Sequence, residues 1–95
     1  MHKYAADPKF PLGNVVITGR AAASIRDKPK LLDWLLARHQ SGDWGNVSED
    51  DKLTNDAAIA GYALHSAYRA NDGTEFWVIT EANRKITTVL LPDDY

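Results

Sequence analysis

The spacing of apolar positions changes character about half-way along the chain. In the first half, Leu31, Leu32, Leu35 and Leu36 recur at helical spacing with Trp34 beside them, which predicts a helix running to about Gln40. Asp27 reads as its cap, Pro29 as a residue of its first turn and Gly42 as its stop. The Ala-rich stretch from Arg20 to Ile25 predicts a shorter helix capped by Thr18, and the β-branched run Asn14 to Thr18 before it predicts a strand. Ser48-Glu49-Asp50-Asp51 has the form of a capping box with Asp in place of Glu. It opens a third helix over 49–60 that presents Leu53, Ala57, Ile59 and Ala60.

From residue 63 onward the period becomes two. Strands are expected at 63–70, 74–81 and 86–91, with turns at Asn71-Asp72-Gly73 and at Ala82 to Lys85, and Pro92 as the stop. Phe76, Val78 and Thr80 share one face; Glu75, Trp77, Ile79 and Glu81 share the other, so both faces are expected to be partly covered. The fold class is therefore α+β: an antiparallel three- to four-stranded sheet, with a C-terminal β-meander, packed with two or three N-terminal helices. One domain is expected over 1–95. Residues 1–12, with Pro8 and Pro11, form an extended arm that Phe10 and Leu12 pin to the body.

Composition narrows the function classes. With 44% apolar and 25% charged residues and a net charge of −2, the chain is a globular protein rather than a disordered one. The same charge argues against direct nucleic-acid binding, which needs clustered Lys and Arg. Acids gather from Asp43 to Asp56 and at Asp93-Asp94; the plainer reading is a solvated mixed surface, and the sharper one is an acidic face offered to a basic partner such as a nucleic-acid-binding protein. There is no cysteine, and the longest apolar run, Thr87 to Leu91, is far too short to span a membrane. The start of the chain lacks an apolar stretch of signal-peptide length, so the expected location is cytoplasmic.

No catalytic signature is present: no P-loop, no Gly-x-Gly-x-x-Gly, no His-Glu-x-x-His and no nucleophile elbow. His2, His39 and His65 are far apart, and the one metal-ligand neighbour at helical spacing, Asp43 after His39, lies beyond the helix stop at Gly42, so neither a metal nor a cofactor is expected. Two strings nevertheless hold candidate chemistry. In His39-Gln40-Ser41-Gly42-Asp43-Trp44-Gly45, the plainer reading gives a helix end: His39 as a cation at the C-terminal dipole, Asp43 capping its own turn and Trp44 at the core edge. The sharper reading makes His39 a general base oriented by Asp43. In the second string, Thr80 to Thr88, the plainer reading is a hairpin tip with a Glu81–Arg84 pair. The sharper one joins Glu81, Arg84 and Thr87 or Thr88 to His39 as a metal-independent ribonuclease site. His65, in a strand beside Ser66, reads as structural, and an exposed tryptophan among Trp34, Trp44 and Trp77 would be an interface anchor.

The segments FPLGNVVIT (10–18), LLARHQSGDWG (35–45), DKLTNDAAI (51–59) and WVITEANRKITTVLLPDDY (77–95) resemble a family of small uncharacterised proteins carried on bacterial plasmids and integrated mobile elements. Some of its members carry the label of type I restriction-system components. The family pattern has Asp-Arg-Ser where this chain has Asn83-Arg84-Lys85, so an acid is missing at that turn. The resemblance implies a setting, the accessory cargo of mobile DNA, which includes toxins, antitoxins and inhibitors of host defence. The first expectation is accordingly a non-enzymatic binding protein that inhibits a CRISPR or restriction complex. Its contact surface would draw on Asp43 and Trp44, on Glu49, Asp50 and Asp51, and on Glu81, Asn83, Arg84 and Lys85. The alternative is a toxin-like ribonuclease using His39, Glu81, Arg84 and a threonine, and a third option is an accessory partner encoded beside a larger gene.

Overall fold

A computed structural model describes residues 4–95; the first three residues, His2 among them, and with them the start of the expected arm lie outside the described part. The described elements are β1 (Asn14–Ile17), α1 (Gly19–Ile25), α2 (Leu31–Gln40), α3 (Glu49–Ala58), β2 (Leu64–Arg69), β3 (Glu75–Thr80) and β4 (Ile86–Leu90), closed by a 3-10 turn at Pro92–Asp94. The fold class is α+β. β2, β3 and β4 form the expected antiparallel meander, with Ala67 opposite Trp77 and Ile79 opposite Thr88.

The sheet is mixed rather than wholly antiparallel. Its order is β1-β4-β3-β2, and β1 pairs in parallel with β4, Asn14 beside Ile86 and Ile17 beside Val89. β4 is thus an interior strand and β1 an edge. Gly13 allows this insertion: at φ 68° its α-carbon lies so close to the Arg84 and Lys85 backbone that a Cβ would overlap it. The arm is pinned as expected, with Phe10 and Leu12 both buried in the core.

Local caps hold in two helices and fail in one. Thr18 accepts from the Ala21 N–H at 3.2 Å and Ser48 from the Asp51 N–H at 3.1 Å. Asp27, by contrast, does not cap α2. That helix starts at Leu31 with Lys30 as a cap that contributes no side-chain bond, and 27–30 are turns. The residue before a proline is driven out of helical geometry, so Lys28-Pro29 delays the start until Asp27 is out of reach. α3 also differs from its expected face: Leu53 and Ala57 are exposed, and Asn55 and Ala58 are the buried residues. The helix lies along the outer edge of β2, where the Asn55 amide donates to the His65 carbonyl at 2.8 Å and accepts from the His65 N–H at 3.2 Å.

The core lies between α2 and one sheet face. Leu35 and Leu36 meet Tyr68, Phe76, Val78 and Val89, with Trp44 and Phe10 closing one end. The other face, with His65, Trp77, Ile79 and Thr88, is only half-buried.

Gly45 sits at φ 76° against β2, where a Cβ would run into the Ala67 carbonyl oxygen and the Tyr68 ring. Gly45→Ala is expected to destabilise the protein by more than about 2 kcal/mol in urea unfolding. Gly73→Ala, at φ 89° in open space, should cost only about 1 kcal/mol.

Candidate functional site

The helical stripe of α2 does not end with its leucines. Positions 39 and 40 lie one turn beyond Leu35 and Leu36, so His39 and Gln40 enter the core on the same face and are both 0% exposed. His39 reaches the sheet with both ring nitrogens: Nδ1 lies 2.6 Å from Ser66 Oγ and Nε2 lies 2.8 Å from Thr80 Oγ1. Thr80 Oγ1 is 2.7 Å from Thr87 Oγ1, and Thr87 donates to the Leu12 carbonyl at 2.7 Å.

Counting hydrogens fixes the direction of this chain. Thr87 spends its proton on Leu12, so Thr80 must donate to Thr87. His39 Nε2–H then donates to Thr80, and Ser66 donates to Nδ1. The imidazole is the neutral Nε2–H tautomer, flanked by Phe10 and Trp44 with centroids at 5.2 and 5.8 Å. Burial pushes its pKa down to about 3, with smaller contributions from the charges of His65 and Arg84. The sequence reading of His39 as a cation at the helix end is therefore corrected: no charge is tolerated at this depth.

Gln40 ties down the arm. Its Oε1 accepts from the Tyr4 and Ala5 N–H groups at 2.8 and 3.1 Å, and its Nε2 donates to the Phe10 carbonyl at 3.1 Å.

Asp43 does not orient His39. Its carboxylate takes Arg38 Nε at 2.7 Å and the second guanidinium nitrogen at 3.1 Å, with the Gly45 N–H at 3.2 Å. Those bonds, the Arg38 one foremost, hold its pKa below the usual carboxylate value. The Arg38 guanidinium also lies 4.9 Å from the Trp34 ring and 4.7 Å from the Tyr68 ring, and the Tyr68 hydroxyl donates to the Asp43 carbonyl. Trp44, expected on the contact surface, is instead buried, with its indole N–H on Asp56 Oδ1 at 2.8 Å. Trp34 is the exposed tryptophan of this region, at 41%.

At the hairpin tip the expected Glu81–Arg84 charge pair is replaced by backbone contacts. Arg84, in the left-handed region at φ 61°, sends its guanidinium to the carbonyls of Tyr62 at 2.7 Å, Ala58 at 3.0 Å, Glu81 at 3.1 Å and Ile59 at 3.3 Å. It closes the C-terminal end of α3, where helix carbonyls lack partners. Burial lowers its pKa from the ordinary value. Glu81, Asn83 and Lys85 are exposed around it. Thr87 belongs to the buried chain on the inner face, whereas Thr88 points to the opposite face, as strand alternation requires. The structure thus joins His39 to Thr87 but gathers no solvent-facing set from His39, Glu81, Arg84 and Thr88.

A feature missed in the sequence lies across the sheet. A cleft of about 480 Å³ opens between the first turns of α3 and the half-buried sheet face, lined by Ser48, Asp51, Thr54, Asn55, His65, Glu75 and Trp77, among others. Alternation had placed Glu75 and Trp77 together; only the docking of α3 against β2 brings Asp51 opposite them. Glu75 Oε2 accepts the Trp77 indole N–H at 2.9 Å, and the His65 and Trp77 rings meet edge-on at 4.8 Å. Partial burial lowers the His65 pKa, against an opposing pull from Asp51. Among the described residues no group of three or more His, Asp or Glu side chains could hold a metal ion, and no helix is long and apolar enough to cross a membrane.

The chain matches no protein family, no curated protein and no solved structure.

Two outcomes follow from these contacts. The unfolded chain binds a proton at His39 below its ordinary value of 6.5, and the folded one does so only near 3, so stability falls as pH drops through that window. The expected loss by pH 5 is about 2 kcal/mol in denaturant titrations, and His39→Gln should flatten the slope. His65 adds to this loss in the same direction, while the depressed carboxylates Asp43, Asp72 and Asp94 act at lower pH. Arg84→Met should destabilise by about 2 kcal/mol and speed amide exchange over 58–62.

Proposed function

We propose that this chain is a non-enzymatic protein-binding module of a mobile element and that it inhibits a host defence complex of the CRISPR or restriction type. The observation that carries the non-enzymatic part is the state of His39: fully buried, neutral and bonded through both ring nitrogens to Ser66 and Thr80. A general base must reach a substrate proton, and this imidazole faces none. Arg84, the cation offered for a ribonuclease site, is committed to the carbonyls at the end of α3. No observation favours the ribonuclease reading over binding.

The surface carries both signs of charge, and one part of it gathers negative charge. Glu49, Asp50 and Asp51 are exposed in one helical turn, with Glu81 exposed at the hairpin tip. A defence complex that grips nucleic acid carries a basic channel, and an acidic face complements such a channel and speeds encounter with it. The segments that resemble mobile-element proteins supply the setting, and the absence of any membrane-length helix among the described residues agrees with a partner met in solution.

Expression in cells whose CRISPR or restriction system targets a plasmid is expected to raise transformation by that plasmid. Glu49→Lys with Asp50→Lys should abolish the rescue without altering the fold. Absence of rescue together with absence of any stable partner in host lysate would overturn the reading. So would growth arrest that His39→Ala relieves.

A further inference from the structure

We propose that the cleft between α3 and the outer sheet face receives the arginine side chain of a basic protein segment. This deepens the protein-binding reading above and rests on it. The chemistry of the walls selects the ligand. Asp51 on α3 and Glu75 on β3 both line the cleft, and Trp77, whose indole N–H is on Glu75 at 2.9 Å, adds an aromatic surface to it. A helix N-terminus ordinarily attracts anions, but here Glu49, Asp50 and Asp51 already fill that role and reverse the local field. Asp51 forms no ion pair among the described residues, and Lys52, its neighbour in the chain, is turned to Glu49 at 3.2 Å. The cleft's own imidazole, His65, is held toward its neutral form by burial.

The protein solves the same recognition problem elsewhere with its own residues. Arg38 lies over the rings of both Trp34 and Tyr68 while its guanidinium takes the Asp43 carboxylate through two nitrogens. The cleft repeats that composition, ring and carboxylates, without an internal arginine at its centre. At the rim, Arg69 already approaches Glu75 at 3.8 Å with its side chain largely exposed, so this carboxylate accepts a guanidinium at long range and remains open to a closer one. Arginine suits the site better than lysine because its planar group can bond a carboxylate through two nitrogens and lie against an indole, whereas an ammonium is compact and more strongly hydrated.

The test uses a short acetylated, amidated Gly-Arg-Gly peptide titrated to about millimolar concentration into ¹⁵N-labelled protein at low salt. The Trp77 indole N–H and the Asn55 side-chain amide should shift saturably. The citrulline peptide, which keeps the shape without the charge, should produce no saturable shift, and the lysine peptide should bind at least about three-fold more weakly. Asp51→Asn and Glu75→Gln, with spectra otherwise unchanged, should each weaken binding about five-fold or more. No saturable shift at Trp77, an equal response to citrulline or lysine, or wild-type titration by both variants would overturn the proposal. Plasmid rescue that persists in Asp51→Asn/Glu75→Gln, with no peptide binding, removes this cleft and leaves the inhibitor reading. Peptide binding at Trp77 without plasmid rescue does the reverse.

Discussion

The fold depends on the burial of a polar helix end. α2 carries its apolar stripe into His39 and Gln40, and neither side chain can be buried unless every donor and acceptor finds a partner. His39 meets this demand by joining Ser66 on β2 to Thr80 on β3, and Thr80 continues through Thr87 on β4 to the arm at Leu12. Gln40 holds the arm at Tyr4, Ala5 and Phe10. One turn of helix therefore fixes the register of three strands and the path of the N-terminal segment. No buried side-chain polar atom among the described residues lacks a partner, so the arrangement is complete as well as connected. The same completeness holds the His39 imidazole away from solvent, with both ring nitrogens bonded inside the protein.

The peripheral loops are tied to the body in the same way. The hairpin tip gives its arginine to the end of α3, and the Gly42–Gly45 loop gives its aspartate to Arg38 and its tryptophan to the core. The carboxylates left near the surface include Asp50 and Asp51 in the first turn of α3 and, lining the same cleft as Asp51, the partly engaged Glu75 beside Trp77. A fold whose interior polar groups are all spent leaves recognition to the charge and shape of its surface.

Much of this was legible in local pattern, because local pattern is sufficient for local events. The Asp72-Gly73 turn, the stop at Gly42, and the Thr18 and Ser48 caps each depend on a few adjacent residues. The parallel pairing of β1 with β4 was not legible, since 14–17 and 86–89 meet only through long-range packing and carry no mark of each other. The inward turn of His39 was legible and was misread: its spacing from Leu35 places it in the core, although its position at a helix end invites a cationic role. Arg84 shows the opposite case. Its partners are carbonyls at 58–62, and no side-chain pattern announces a bond to backbone. Asn55 is similar, a polar residue buried because it stands in for a neighbouring strand.

That substitution has a consequence for growth of the sheet. At β2 the Asn55 amide pairs with both backbone groups of His65, and Ala67 is bonded to Trp44 and Asn46 by its own chain. No incoming ribbon can therefore zip onto that border without first evicting these groups. The far border, β1, is four residues long and bears no strand on its outer side among the described residues. Among the described residues the sheet is therefore blunted at β2 by its own chain, and its free backbone border is the short strand β1.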